Sequence, residues 1–128
     1  MSVGEVKELQ REIDRWRPIY YAAVSGDFNP IHVDPEFGAL AGHGGTILHG
    51  LCTLSFATEA AISLFCGGDP SRLASIAVRF SKPVKPEDVV TFRFTIEEES
   101  QEGLQASLLA TNQRGEEVLK NATIRVRP

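Results

Sequence analysis

Residues 25–32 could transfer protons between side chains and a water molecule. They read Ser-Gly-Asp-Phe-Asn-Pro-Ile-His, so the carboxylate of Asp27 precedes the imidazole of His32 by five residues. Gly26 and Pro30 favour an irregular loop, in which both side chains can converge in a way that helical spacing would forbid. A carboxylate and an imidazole that share one water can polarise it and move a proton. The segment therefore indicates addition of water across a double bond.

A structural role is the alternative for the same segment. Asp27 and Asn29 belong to the types that cap and turn loops, while His32 could pack below them. For an Asp and a His alone this would be the better interpretation, but the full string of eight residues is more specific. His49 is expected to order its turn by hydrogen bonding, and His43 to lie at the surface or at a pocket rim. The spacing of Cys and His residues matches no zinc site, so we predict no metal and no redox cofactor.

The first half of the chain reads as helices. We predict a helix capped by Asp14 and running through Ala23, with Pro18 either in its first turn or at its true start. Gly26 suits the left-handed position at the end of this helix. Two short helical turns are expected after residues 29–30 and 34–35, where a capping side chain precedes a proline.

The stretch from Leu51 to Phe65 is almost entirely apolar or small. A helix that is apolar nearly all round is buried, so we predict that this is the central helix. Cys52 and Cys66 would lie about 21 Å apart along it, which excludes a disulfide between them.

The second half of the chain predicts an antiparallel sheet. Apolar and polar residues alternate in segments separated by turn residues, which is typical of half-buried strands. Pro83 and Pro86 predict a turn between the strand that ends at Phe80 and the strand that begins at Val89. The predicted strands are a short edge strand within residues 3–12, then residues 74–80, 89–96, 104–111 and 118–126. A sheet wrapped around one apolar helix is an α+β domain of the hot-dog type.

Length and charge narrow the possible functions. The 128 residues suit one domain, which we place at residues 1–128 without an internal boundary. The net charge of −4 provides no overall field for binding nucleic acid, and we expect no nucleic-acid partner. Charged residues interrupt the start of the chain and the apolar stretch is short of a membrane span, so we expect a cytoplasmic protein without membrane contact.

Three motifs together resemble the MaoC-like dehydratases, which include the (R)-specific enoyl-CoA hydratases. The first is the string 25–32, the second is Gly-Gly-Thr-Ile-Leu-His-Gly-Leu at 44–51, and the third is Arg-Phe-Ser-Lys-Pro-Val-Lys-Pro-Glu-Asp at 79–88. The sequence departs from the family at three places. Glu87 replaces the usual Gly, and His43 lies where an aromatic residue is usual. Cys52 follows Leu51 at the position where Met-Leu is common. None of these changes removes a catalytic group.

The resemblance implies a hot-dog homodimer, or a dimer-based assembly, that hydrates trans-2-enoyl thioesters to (R)-3-hydroxyacyl thioesters or catalyses the reverse. Carried over by position, Asp27 and His32 hold and activate the water, and Asn29 braces the loop. The backbone N–H of Gly50 binds the thioester oxygen. Coenzyme A or acyl carrier protein enters as the carrier of the substrate, with no other cofactor.

Elementary chemistry supports the role of Gly50 independently. The first N–H groups of a helix lack partners within the helix and favour negative charge. Hydroxide addition at C3 moves charge onto the thioester oxygen, and a preorganised N–H stabilises it there. Without a side chain, Gly50 lets the carbonyl approach closely. The alternative is that Gly50 only relieves crowding at the helix start.

A basic segment could bind the phosphates of the carrier. Arg72, Arg79, Lys82 and Lys85 occur between residues 72 and 86 with no acidic residue among them. Arg79, Lys82 and Lys85 are therefore candidates for a phosphate site. Equally, they could belong to a solvated strand edge or to strands that face a dimer partner.

Three other functions remain open at this stage. One is a 3-hydroxyacyl-carrier-protein dehydratase subunit that works with a different chain. A second is an acyl-thioester-binding hot-dog module without turnover, against which the intact Asp27 and His32 argue. A thioesterase is also possible on this fold, but it would not need the Asp27 and His32 string.

Overall fold

The alternating segments form one antiparallel sheet in the computed structural model, which describes residues 1–128. The strands are β1 (Val6–Glu12), β2 (Leu73–Phe80), β3 (Val89–Ser100), β4 (Gly103–Thr111) and β5 (Glu117–Val126). Their order across the sheet is β1-β3-β4-β5-β2, so β1 is an edge strand as predicted. All five predicted strands are present, and β3 extends four residues beyond its predicted end at Ile96.

Four α-helices lie in the first half of the chain, as the sequence indicates. They are α1 (Arg17–Ser25), α2 (Pro30–Val33), α3 (Pro35–Leu40) and α4 (Gly50–Phe65). The short helices α2 and α3 start at prolines that follow Asn29 and Asp34, and each of these side chains accepts a hydrogen bond from the backbone of its helix. No helix is both long and apolar enough to cross a membrane.

Helix α4 is central, as predicted. The sequence also predicts that it is buried on all sides, and this is wrong. One face packs into a cluster of 22 buried apolar residues that the sheet completes. On the opposite face, Leu51 is 62% exposed, and Glu59 forms an ion pair with Arg11 at 2.8 Å. The helix thus has an apolar residue on an open face, which a single chain does not cover.

The start of α1 differs from the prediction. Asp14 does not cap the helix; its carboxylate accepts a hydrogen bond from Arg17 Nε at 2.8 Å instead. The capping position is Trp16, which makes no side-chain cap, and Pro18 occupies the first turn. The end agrees with the prediction, because Gly26 adopts φ +78° and closes the helix.

Strand β2 pairs with β5 and not with β3, the strand that follows it in sequence. The segment containing Pro83 and Pro86 is therefore a crossover and not the turn of a hairpin. Glu87 adopts φ +72° in this segment, a left-handed conformation that costs a side-chain-bearing residue free energy. This is the position at which the family resemblance expects a glycine.

Both cysteines are buried and free. Burial raises the pKa of the Cys52 thiol and of the Cys66 thiol above their ordinary values. These thiols therefore stay protonated and behave as small apolar groups in the core.

Candidate active site

Side chains of the loop between α1 and α2 bond to its own backbone. The Ser25 hydroxyl accepts from Asp27 N–H, and Asp27 Oδ1 accepts from Asn29 N–H at 3.2 Å. Asn29 Oδ1 in turn accepts from Ile31 N–H at the start of α2. Capping and turning, the structural alternative for these residues, therefore do occur. They leave the second oxygen of Asp27 free for chemistry.

The loop brings Asp27 and His32 together. Asp27 Oδ2 lies 3.9 Å from His32 Nε2, too far for a direct hydrogen bond but suitable for one bridging water. The two side chains differ in environment, since that of Asp27 is 54% exposed and that of His32 only 11%. The pair thus combines an anchored imidazole with a carboxylate at the surface of the single chain.

One hydrogen bond sets the tautomer of His32. Its Nδ1 lies 2.8 Å from the carbonyl oxygen of Ile47. Because a carbonyl only accepts, Nδ1 carries the proton and donates it, which leaves the lone pair on Nε2 in the neutral ring. Nε2 is the nitrogen that faces Asp27. A water between the two groups would therefore meet two acceptors, which is the arrangement that removes a proton.

Gly50 begins α4, as the sequence predicts, and its N–H donates to no backbone or side-chain acceptor. The N–H of Leu51 is also free, whereas Cys52 N–H and Thr53 N–H both donate to His49 O. The first turn of α4 thus presents two unpaired donors at the positive end of its dipole.

A cleft of about 220 Å³ joins His32 to Gly50. Thr53, one turn along α4, also lines it, and apolar side chains from the crossover segment form the opposite wall. The Phe80 ring closes over Gly50, where an added Cβ would lie 3.2 Å from a ring carbon. Sequence reasoning missed Thr53 and Phe80, because only the fold brings the end of β2 to the start of α4.

His49 is buried between two rings. It stacks on His32 with centroids 3.8 Å apart and planes 20° apart, and its other side meets Tyr21 at 4.8 Å. His49 Nε2 lies 2.9 Å from the carbonyl oxygen of Asp27, so this residue does form a hydrogen bond, but to the loop of Asp27 and not within its own turn as expected. Burial is the main cause that raises the pKa of Tyr21, with Cys52 and Asp27 acting in the same direction.

The donor atoms of Asp27, His32 and His49 all lie within 4.8 Å of one another, a spacing that invites comparison with metal sites. Each imidazole bonds a backbone carbonyl through one nitrogen, so only the other nitrogen of each ring could bind an ion. The two rings are also nearly parallel, whereas lone pairs must converge to share one ion. The arrangement therefore suits proton transfer better than metal binding.

A second, polar pocket of about 280 Å³ adjoins the cleft. Lys82 and Lys85 line it together with His43 and Arg114. Neither lysine forms an ion pair, whereas Arg114 bonds Glu116 at 2.8 Å and Asp88 at 3.3 Å. The pocket therefore offers two unpaired cations beside the cleft.

Arg79 does not belong to this pocket. Successive strand residues point to opposite faces, so Phe80 lines the cleft while Arg79 is directed away from it. The three basic residues grouped from the sequence are thus divided by the fold, and only Lys82 and Lys85 face a pocket. Arg114 was not predicted, because it lies 29 residues beyond Lys85 and reaches the pocket through the turn between β4 and β5.

Comparison with known proteins identifies relatives of this chain. A family described as "MaoC like domain" matches residues 4–118. "Enoyl-CoA hydratase 2, peroxisomal" of Arabidopsis thaliana is 47% identical over 74 residues, which are 58% of this chain and 24% of that protein. The chain therefore spans about a quarter of the length of this relative.

Solved structures support the hot-dog fold. A MaoC-like dehydratase from Phytophthora capsici has a TM-score of 0.82 and 29% identity, over 98% of this chain and 41% of the other. The (R)-hydratase from A. caviae involved in PHA biosynthesis has a TM-score of 0.84 and 24% identity, over 100% of this chain and 98% of that one. The latter likeness shows the fold alone, which confirms the predicted α+β class.

Proposed function

The chain belongs to the MaoC-like domain family, and from this we propose that it adds water to trans-2-enoyl-CoA, giving (R)-3-hydroxyacyl-CoA, or catalyses the reverse dehydration. The enzyme class would be that of a hydro-lyase. The observation that carries the proposal is the 3.9 Å gap between Asp27 Oδ2 and His32 Nε2, beside a cleft that His32 shares with Gly50.

The proposed reaction needs only water and groups of this chain. Asp27 and His32 hold the water and take one of its protons, while its oxygen bonds to C3 of the enoyl thioester. The π electrons move onto the thioester oxygen, where the N–H of Gly50 stabilises the enolate. The pair then returns the proton to C2, so that one water has been added in total.

Hydration of crotonyl-CoA tests this proposal directly. Loss of enoyl absorbance, with (R)-3-hydroxybutyryl-CoA identified by chiral analysis, is the expected result. The Asp27→Asn variant is the matched control, since it preserves shape and the bond to Asn29 N–H. Absence of turnover with bound substrate would identify a non-catalytic thioester-binding module, and release of free thiol would identify a thioesterase.

We also propose that the carrier is coenzyme A and that its phosphates bind at Lys82 and Lys85. The support is that both ammonium groups lack ion pairs and line a pocket that adjoins the cleft. Lys82→Ala should raise KM for crotonyl-CoA, but not for crotonyl-pantetheine, which lacks the phosphates. Arg79→Ala is the matched control, because it removes the same charge outside the pocket. An equal effect of both variants would contradict this assignment.

Residues 1–128 are proposed to act as one domain that pairs with a second copy. Large apolar side chains on the helical side of the chain are exposed, among them Val24 at 87%, Leu40 at 88% and Phe28 at 58%. A second copy over this face would also shield the exposed Asp27. A fully active species near 14.0 kDa in light scattering would exclude the dimer. Cytoplasmic residence is likewise a proposal, and fluorescent tagging of the native chain tests it.

A further inference from the structure

His49 contacts both members of the Asp27 and His32 pair, but it has no part in the proton transfer proposed above. Its Nε2–H donates to the backbone carbonyl of Asp27 at 2.9 Å. Its ring covers that of His32 at a centroid distance of 3.8 Å. It is also the capping residue of α4, directly before Gly50. One side chain thus connects the carboxylate loop, the imidazole and the helix start.

The other nitrogen of His49 has an unusual environment. Nδ1 is buried and has no hydrogen-bond partner, and the residue as a whole is only 3% exposed. Because Nε2 donates to a carbonyl, Nδ1 carries a lone pair that nothing in the protein satisfies. Such a buried group opposes folding, and its presence in a folded protein requires an explanation. An apolar ring at this position would avoid this penalty, although phenylalanine is larger than histidine.

We propose that His49 is a positioning residue, which fixes the Asp27 backbone by its hydrogen bond and the His32 ring by stacking, so that the two reactive atoms keep their spacing. Tyr21 supports the far side of the His49 ring at 4.8 Å. The effect on turnover rests on the hydratase function proposed above. Small errors in the placement of reacting groups are costly, since a displacement of 1 Å can lower a rate about 10²-fold.

Two substitutions separate the contacts of His49. His49→Phe keeps a ring on His32 but removes the bond to Asp27, whereas His49→Gln keeps an N–H donor and removes the ring. For His49→Phe we expect kcat to fall about 10²-fold with KM for crotonyl-CoA little changed. Its melting temperature should change little, because removal of the unsatisfied Nδ1 offsets the lost hydrogen bond to Asp27. His49→Gln should retain more of kcat if the hydrogen bond is the larger contribution.

A double-variant cycle tests whether His49 acts through Asp27. In the Asp27→Asn background, His49→Phe should lower kcat much less than in the wild type, because the group that it positions is already disabled. Independent effects that multiply would overturn the proposal. So would unchanged kcat in folded His49→Phe and His49→Gln, or losses of kcat that follow the unfolded fraction.

Imidazole NMR supplies a measurement that does not depend on turnover. In His49→Gln the His32 ring should lose its single orientation, because the ring that stacks on it is gone, and its NMR signals should broaden or double. Signals of the His32 ring as sharp and single as in the wild type would overturn the positioning role. If the wild type fails to hydrate crotonyl-CoA, the proposed function fails, while these NMR signals still decide the role of His49.

Discussion

A methyl group at residue 50 tests whether the start of α4 binds the oxyanion. Gly50 has no left-handed φ, so Gly50→Ala strains no backbone. Its Cβ would lie 3.2 to 3.3 Å from three carbons of the Phe80 ring. The substitution keeps the N–H in place but puts a methyl group beside it, where the thioester carbonyl would approach in the proposed reaction.

Gly50→Ala is expected to affect stability much less than turnover. Carbon atoms prefer separations of about 3.5–4.0 Å, so the Phe80 ring has to retreat by about 0.5 Å. Because this ring is 49% exposed, the retreat is easy, and we expect the free energy of unfolding to fall by less than about 1 kcal/mol. The melting temperature would then drop by at most about 4 °C. Loss of an oxyanion donor, by contrast, lowers kcat about 10²–10³-fold.

The assay is crotonyl-CoA hydration in parallel with thermal unfolding. A fall in turnover of about two orders of magnitude without a matching loss of folded protein is expected. Turnover within a few-fold of the wild type would refute the assignment of the Gly50 N–H as the oxyanion donor. The free N–H of Leu51 would then be the remaining candidate in the first turn of α4. A second cause of lost turnover would be displacement of the Phe80 ring by the new methyl group. Phe80→Leu in the Gly50→Ala background tests this cause, because turnover should then recover if the displaced ring is responsible.

Four other predictions address the proton pair, the assembly and the stability of the fold. Asp27→Asn and His32→Gln should each lower turnover about 10²–10⁴-fold, and near-wild-type rates from a folded variant of either would exclude proton transfer by the pair. Leu51→Lys replaces the exposed apolar residue on the open face of α4 by a charge, so light scattering should detect a shift toward single chains. Glu87→Gly relieves the left-handed backbone and should raise the free energy of unfolding by about 1 kcal/mol in a denaturant titration. Asp88→Ala should lower it by about 2 kcal/mol in the same titration, because this buried carboxylate accepts from Lys85 N–H and from Gln113.

Local patterns predicted the elements well, because capping, alternation and apolar runs act over a few residues. The left-handed Gly26, the proline-started helices and the edge position of β1 all follow from such signals. The prediction that Asp14 caps α1 was wrong, because the Asp14 carboxylate pairs with the nearby guanidinium of Arg17 instead. The open face of α4 could not be predicted either, because composition does not tell whether another chain covers an apolar residue.

The site was predictable to the extent that it lies in one loop. Asp27 and His32 are five residues apart, and the fold leaves them 3.9 Å from each other. Phe80 and Arg114 reach the pockets from distant strands, and their contribution depends on which strands are neighbours. The same dependence separates Arg79 from the lysines. Tertiary placement therefore decides the walls of the pockets, whereas the two groups proposed to react were visible in the sequence.

The position of β2 has a consequence for the order in which the polypeptide can fold. β2 ends at Phe80, and β5, its only partner in the sheet, begins at Glu117. During synthesis β2 therefore has no strand to join until β3, β4 and β5 have emerged, and pairing across such a sequence separation is slow. Because Phe80 forms a wall of the cleft beside His32, we expect a nascent chain that stops before β5 to contain the Asp27 loop but no cleft. Until then β2 is an unpaired strand, and its unpaired edge is open to aggregation.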